Sequence, residues 1–126
     1  MTEAEIVVEV RRHLEGKFPK SCRVCGRIYP NLKDYPLHTT HVGQPFSYDD
    51  DVGIFQATKP IGAASLANCP CGNTLSVDSA GMSLITMWRL MCWLRSEMTR
   101  RRQRASDVLE DLRRSIDQAT LADTQD

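Results

Sequence analysis

Nothing in this chain is long and apolar enough to cross a bilayer. The longest apolar run, Leu84 to Leu94, is 11 residues interrupted by Thr86 and Arg89, whereas a helical span takes about 20. Net charge is lacking as well. Sixteen Lys and Arg balance sixteen Asp and Glu, so no whole-protein field favours nucleic acid or an anionic membrane. There is no glycine-rich phosphate loop, GxSxG elbow or HExxH pair, which removes the familiar catalytic signatures and leaves a non-enzymatic role as the expectation. Internal repeats and low-complexity tracts are missing too. Met1-Thr-Glu-Ala-Glu has no basic start followed by an apolar run, so the expected location is cytoplasmic.

What is present fits one globular domain over residues 1–126, with 41% hydrophobic and 25% charged residues. Residues 1–16 read as an N-terminal helix. Thr2 with Glu5 forms a capping-box pattern, Ile6, Val10 and Leu14 repeat at helical spacing, and Gly16 supplies a stop. His13 lies near that stripe as a partly buried or surface side chain. Residues 17–80 change character, since four of the six prolines fall between Pro30 and Pro60. Short β-compatible runs take over at Arg27–Tyr29, Gly53–Ala57, Ser65–Ala67 and Thr74–Val77. The last two flank Cys69-Pro70-Cys71-Gly72 and suggest a hairpin whose turn carries both cysteines. The acidic run Asp49-Asp50-Asp51 reads as a solvated turn.

Residues 81–120 read as a helical hairpin. Met82 to about Gln103 forms its first arm, apolar nearly all round from 84 to 94, which implies burial on several sides in the core or against a second copy. Cys92 is expected there as a small buried hydrophobe. Met82, Met87, Met91 and Met98, with Trp88 and Trp93, suit core packing, and would also suit a dimer interface or partner groove. Ser106 is placed to cap the second arm, in which Val108, Leu109, Leu112 and Ile116 make one stripe and Glu110 precedes Arg114 by four. Residues 121–126 read as a frayed tail.

Chemistry concentrates in four of the five cysteines. Cys22-Arg-Val-Cys25-Gly26 places two thiolates two residues apart, with a glycine free to turn backbone amides toward the sulfurs. Cys69-Pro70-Cys71-Gly72 is the same device shortened by one residue. Together they supply a closed, four-thiolate tetrahedral site of the structural zinc kind. These two stretches resemble the metal knuckles of the zinc-ribbon and rubredoxin-like class. They depart from it in the CxC second pair and in the 43 residues between the pairs. The resemblance covers the two knuckles and not the helices. With the elements read above, the expected fold is α+β, an N-terminal helix and a C-terminal helical hairpin around a small central β region that carries the zinc-ribbon-like four-Cys site. The four thiolates point to Zn2+ as the cofactor. Sequence leaves iron or an iron-sulfur cluster open as the alternative. A zinc clamp of this kind is expected to fasten the β region to the flanking helices.

A rival arrangement uses Cys22, Cys25, His38 and His41 in the manner of a Cys-Cys-His-His finger, with Tyr29 as its aromatic. Two residues between the histidines are too few for that pattern. Pro36 would also break the helix needed to carry both. His38 and His41 remain alternative ligands, with a polar loop pair as their plainer role.

These residues carry three functional readings. The first is a zinc-binding regulatory or adaptor protein acting through protein-protein contacts, with a protein partner or a homodimer joined through the apolar helix 84–94. The second is an iron-sulfur or thiol-based redox sensor or electron carrier. The third is a nucleic-acid-binding regulator using the basic segment Arg95 to Arg104, with Arg100, Arg101, Arg102 and Arg104 at its centre. It competes with the plainer idea of a solvated helix end.

Overall fold

The computed structural model describes residues 2–47 and 63–122. The run Gly53–Ala57, the acidic Asp49-Asp50-Asp51 and the tail 123–126 lie outside them. Helix α1 spans Glu3–Glu15. As the capping box requires, the Thr2 side chain accepts from the Glu5 amide at 3.3 Å, which satisfies one of the helix's orphan donors. Ile6 and Val10 point from it into the core.

Two helices close the chain, α3 over Leu84–Arg101 and α4 over Ala105–Ala122. Ser83 caps α3 by accepting from the Thr86 amide. Arg102 ends it in the left-handed conformation, with φ at 54°, and so turns the chain into α4. Ser106 proves to be inside the first turn of α4 rather than its cap. Leu90, Met91, Trp93 and Leu94 pack against Val108, Leu109, Leu112 and Ile116, and α1 completes this helical core through Ile6 and Val10.

The first arm of this hairpin corrects one expectation. Its apolar residues are not buried on several sides within the chain. Leu84, Ile85 and Trp88 are exposed by 88%, 65% and 68%, and Cys92 is exposed beside them. With 3.6 residues per turn, positions 85, 88 and 92 share a face opposite the buried Leu90, Trp93 and Leu94. An all-round apolar pattern cannot say which side the rest of the chain will cover.

Between the helices lie two small antiparallel sheets. One pairs β1 (Lys20–Ser21) with β2 (Ile28–Tyr29) in the register Ser21 opposite Ile28. The other has the order β3-β4-β5, formed by Thr40–Ser47, Ala63–Asn68 and Thr74–Asp78. β4 and β5 make the expected hairpin, with Asn68 opposite Thr74. β3 escapes sequence reading because Gly43 and Pro45 interrupt it. It is an edge strand whose register shifts between Val42 and Phe46, which is where proline is tolerated in a sheet. Contacts from β3 to α4 dock the sheet on the helices. The His41 ring meets Glu110 at 3.3 Å and Gln44 donates to Asp107 at 3.0 Å.

The segment between the sheets holds a short helix, α2, over Asp34–His38. Pro36 sits within it, contrary to its reading as a breaker. In a five-residue helix the third position still belongs to the first turn, where the missing amide has no intrahelical partner to lose. The region around His38 and His41 is therefore not one polar loop: His38 ends α2 and His41 lies on β3.

Candidate metal centre

Each cysteine pair occupies the tip of an antiparallel hairpin. At the first tip the Cys22 amide donates to the Arg27 carbonyl at 2.9 Å, and the Gly26 amide returns to the Cys22 carbonyl at 2.9 Å. At the second, the Cys69 amide donates to the Asn73 carbonyl and the Gly72 amide to the Cys69 carbonyl, both at 2.8 Å. The closing bond spans four residues in CxxCG and three in CPCG. This is the physical content of calling the second knuckle a shortened copy of the first. Gly26 and Gly72 adopt φ values of 78° and 96°, a left-handed backbone that a side chain would strain.

The two tips meet sulfur to sulfur. Cys22 Sγ lies 3.6 Å from Cys71 Sγ, and Cys25 Sγ lies 3.6 Å from Cys69 Sγ. All four sulfurs fall within 4.8 Å of one another. Four thiolates bound at about 2.3 Å to one tetrahedral ion stand about 3.8 Å apart. The observed spacing is close to that, and far beyond the ~2.05 Å of a disulfide. The four thiols can hold one metal ion.

Burial divides the set. Cys22 and Cys69 are buried, Cys25 and Cys71 exposed. Each buried sulfur receives a side-chain donor: Tyr29 gives its hydroxyl to Cys69 at 3.1 Å, and Asn73 its amide to Cys22 at 3.4 Å. Such donors orient thiolates and offset their negative charge. The Cys22 thiol is brought down to about 6, first by the backbone at Cys25 and next by Asn73. Cys69 is lowered by the backbone at Cys71 and then by Tyr29. The backbone at Asn73 also favours the Cys71 thiolate, but partial desolvation of the sulfur and the three neighbouring sulfurs outweigh it and push that thiol up to about 11. Four clustered negative charges repel one another, and a bound cation is what lets all four ionise together.

Tyr29 and Asn73 were not legible as parts of this site. Asn73 directly follows the second knuckle, and that adjacency is the only signal the sequence offers. Tyr29 also carries Arg27, two residues before it, over its ring, with the guanidinium 5.4 Å from the centroid. Around them Tyr35, Ala67 and Leu75 complete a small core separate from the helical one. All four cysteines lie at hairpin tips, so a metal held by them would join hairpin to hairpin, where the sequence had suggested that it fastens the β region to the flanking helices.

The remaining singled-out residues lie elsewhere. His38 Nε2 faces Asp34 at 3.3 Å within α2, and His41 faces Glu110. His13 Nε2 is 3.1 Å from the Asp78 carbonyl oxygen. In the basic segment, Arg100 pairs with Glu97, and Arg101 joins Glu97, Asp111 and Glu3. Arg104 reaches Asp107 at 3.8 Å, while Arg102 serves as the exposed α3 terminus and Arg95 is exposed. Glu110, expected only to support Arg114, is buried and also holds Arg113 and His41. No helix among the described residues is long and apolar enough to cross a membrane.

These features make an α+β fold in which two hairpin tips bring together four cysteines that could hold one metal ion, an arrangement consistent with a metal knuckle. Compared with models of protein families, with curated proteins and with solved structures, the chain matches none of them.

Proposed function

We propose that this is a small cytoplasmic zinc-binding regulatory or adaptor protein whose metal is structural and whose protein surface does the work. The observation that carries the reading is the crossed approach of Cys22 to Cys71 and of Cys25 to Cys69, 3.6 Å in each case. Four sulfurs at tetrahedral spacing suit a single d10 ion, and a site closed by four thiolates keeps no position for water. That supports a scaffold in preference to a reaction centre. The exposed face of α3, with Leu84, Ile85 and Trp88, supports a protein contact, since large apolar side chains grouped in water mark interaction surfaces. The reading is tested by measuring metal content on untagged protein and on Cys22→Ser. Loss of zinc and of thermal stability in the variant is expected.

One observation favours a second reading. Cys25 and Cys71 are open to solvent, and a solvent-accessible metal-bound sulfur is one that an oxidant can reach. A single iron or an iron-sulfur cluster in the same cage would make the protein a redox sensor or electron carrier. The visible spectrum of anaerobically purified protein separates the two, because zinc is colourless and iron-thiolate centres absorb strongly.

A further inference from the structure

A cavity of about 160 Å³, partly open to solvent, lies between the three-stranded sheet and the helices, apart from the cysteine cage. Its walls are mainly apolar, with Val10, Leu14, Ala64, Leu112 and Ile116 among them. An enclosed apolar cavity of about 150 Å³ takes benzene, which sets the size of ring that fits such a volume. Polar side chains line this cavity as well, His13, Tyr35, His41, Asp78, Arg113 and Asp117 among them.

Most of those polar groups are already matched. Arg113 donates to Asp117 at 2.7 Å and to Glu110, and His41 meets Glu110 at 3.3 Å. The exception is Tyr35, whose side chain is buried and whose hydroxyl has no hydrogen-bond partner among the described residues. A buried hydroxyl without a partner is unfavourable, and native proteins seldom leave one without a reason.

We propose that this cavity binds a small neutral molecule about the size of a six-membered ring, whose hydrogen-bond acceptor takes the Tyr35 hydroxyl proton. The charge pattern selects neutrality. An anion would meet Asp117 and Asp78, both carboxylates. A cation would find Asp117 already engaged by Arg113 and Asp78 by Lys17, and would lose its hydration to apolar walls. Burial also holds the Asp117 carboxyl above its usual range, and Tyr35 is pushed up to about 12 by burial and then by Asp117. The surroundings of Tyr35 and Asp117 therefore already disfavour added charge.

The test is titration of the purified full chain with cyclohexanone, followed by amide chemical shifts, with methylcyclohexane, cyclohexylammonium and cyclohexanecarboxylate as comparisons. Cyclohexanone is expected to shift the amides of Val10, Tyr35, Leu112 and Ile116, and to bind the native chain roughly three- to tenfold tighter than it binds Tyr35→Phe, the worth of one net hydrogen bond. Methylcyclohexane should bind the two proteins alike. If that variant does not fold, the infrared carbonyl stretch of cyclohexanone bound to the native chain decides, and it should lie at a hydrogen-bonded frequency. An unchanged ketone affinity in Tyr35→Phe, a carbonyl stretch at a hydrocarbon-like frequency, tighter binding of either charged ring than of cyclohexanone, or no shift at these amides with any ring overturns the proposal.

Discussion

The Tyr29 hydroxyl donates to Cys69 Sγ at 3.1 Å, so a residue of one hairpin hydrogen-bonds a sulfur at the tip of the other. Tyr29 is fully buried, and burial first, then the Cys69 contact, raise its hydroxyl well above the ordinary range. It stays a donor at any physiological pH. This single bond links the strand pairing of β1 and β2 to the chemistry of the metal cage.

Tyr29→Phe keeps the ring and removes only that donor. Outer hydrogen bonds to metal ligands are typically worth about 10- to 100-fold in affinity. The variant should fold with its metal but surrender it to a competing chelator at a 10- to 100-fold lower chelator excess, read from an equilibrium competition curve. A curve superimposed on that of the native protein would show that the bond contributes nothing to metal retention.

Removing the metal should melt one part of the molecule and spare another. The helical core of Ile6, Leu94, Val108 and Leu112 includes no ligand, while the small core is built on Cys22 and Cys69 themselves. A two-residue strand pair is marginal in water without such support. After strong chelation, hydrogen exchange should accelerate at residues 20–29 and 69–74, and α3 and α4 should keep their protection. Continued protection of the β1–β2 amides without metal would contradict this.

Two tryptophans five residues apart should behave differently. Trp93 is buried in the helical core, and its change to Ala should cost about 3–5 kcal/mol. Trp88 is exposed, so Trp88→Ala should change the stability of a dilute monomer by no more than about 0.5 kcal/mol. If α3 carries a self-association surface, the native melting temperature will rise with protein concentration, and Trp88→Ala will abolish that rise. Denaturation curves at two concentrations read both effects.

Much of this contrast could not be read from sequence. The helical periods of Ile6, Val10 and Leu14, and of Val108, Leu112 and Ile116, identify α1 and α4 because each has one apolar face. In α3 apolar residues surround the axis, and only tertiary packing decides that Trp93 goes in while Trp88 and Cys92 stay out. The cage was legible because CxxCG and CPCG bring their own geometry. Tyr29 and Asn73 were not, because a donor to sulfur is defined by where two hairpins meet in space. β3 and α2 were hidden by Pro45 and Pro36, whose effects depend on an edge position and a first turn that sequence does not display.

The acid response of the α3 terminus follows from Glu97. The Arg100 guanidinium, and then Arg101, hold its carboxyl down to about 2 from an ordinary value of 4.5. A depressed folded-state value means stabilisation that is complete above the unfolded value and lost as pH falls toward the folded one. The melting-temperature gap between native protein and Glu97→Gln should be constant above about pH 5 and shrink steadily toward about pH 3. A gap that widens on acidification would rule out this role for the ion pairs.

The central claim is that Cys22, Cys25, Cys69 and Cys71 close around one ion that builds the fold. Elemental analysis of untagged protein, taken with its absorption spectrum, tests this most directly. The account predicts one zinc per chain, no visible colour, and loss of both metal and native melting temperature in Cys22→Ser. A Cys22→Ser protein that keeps its full zinc content and melts with the native chain would contradict it.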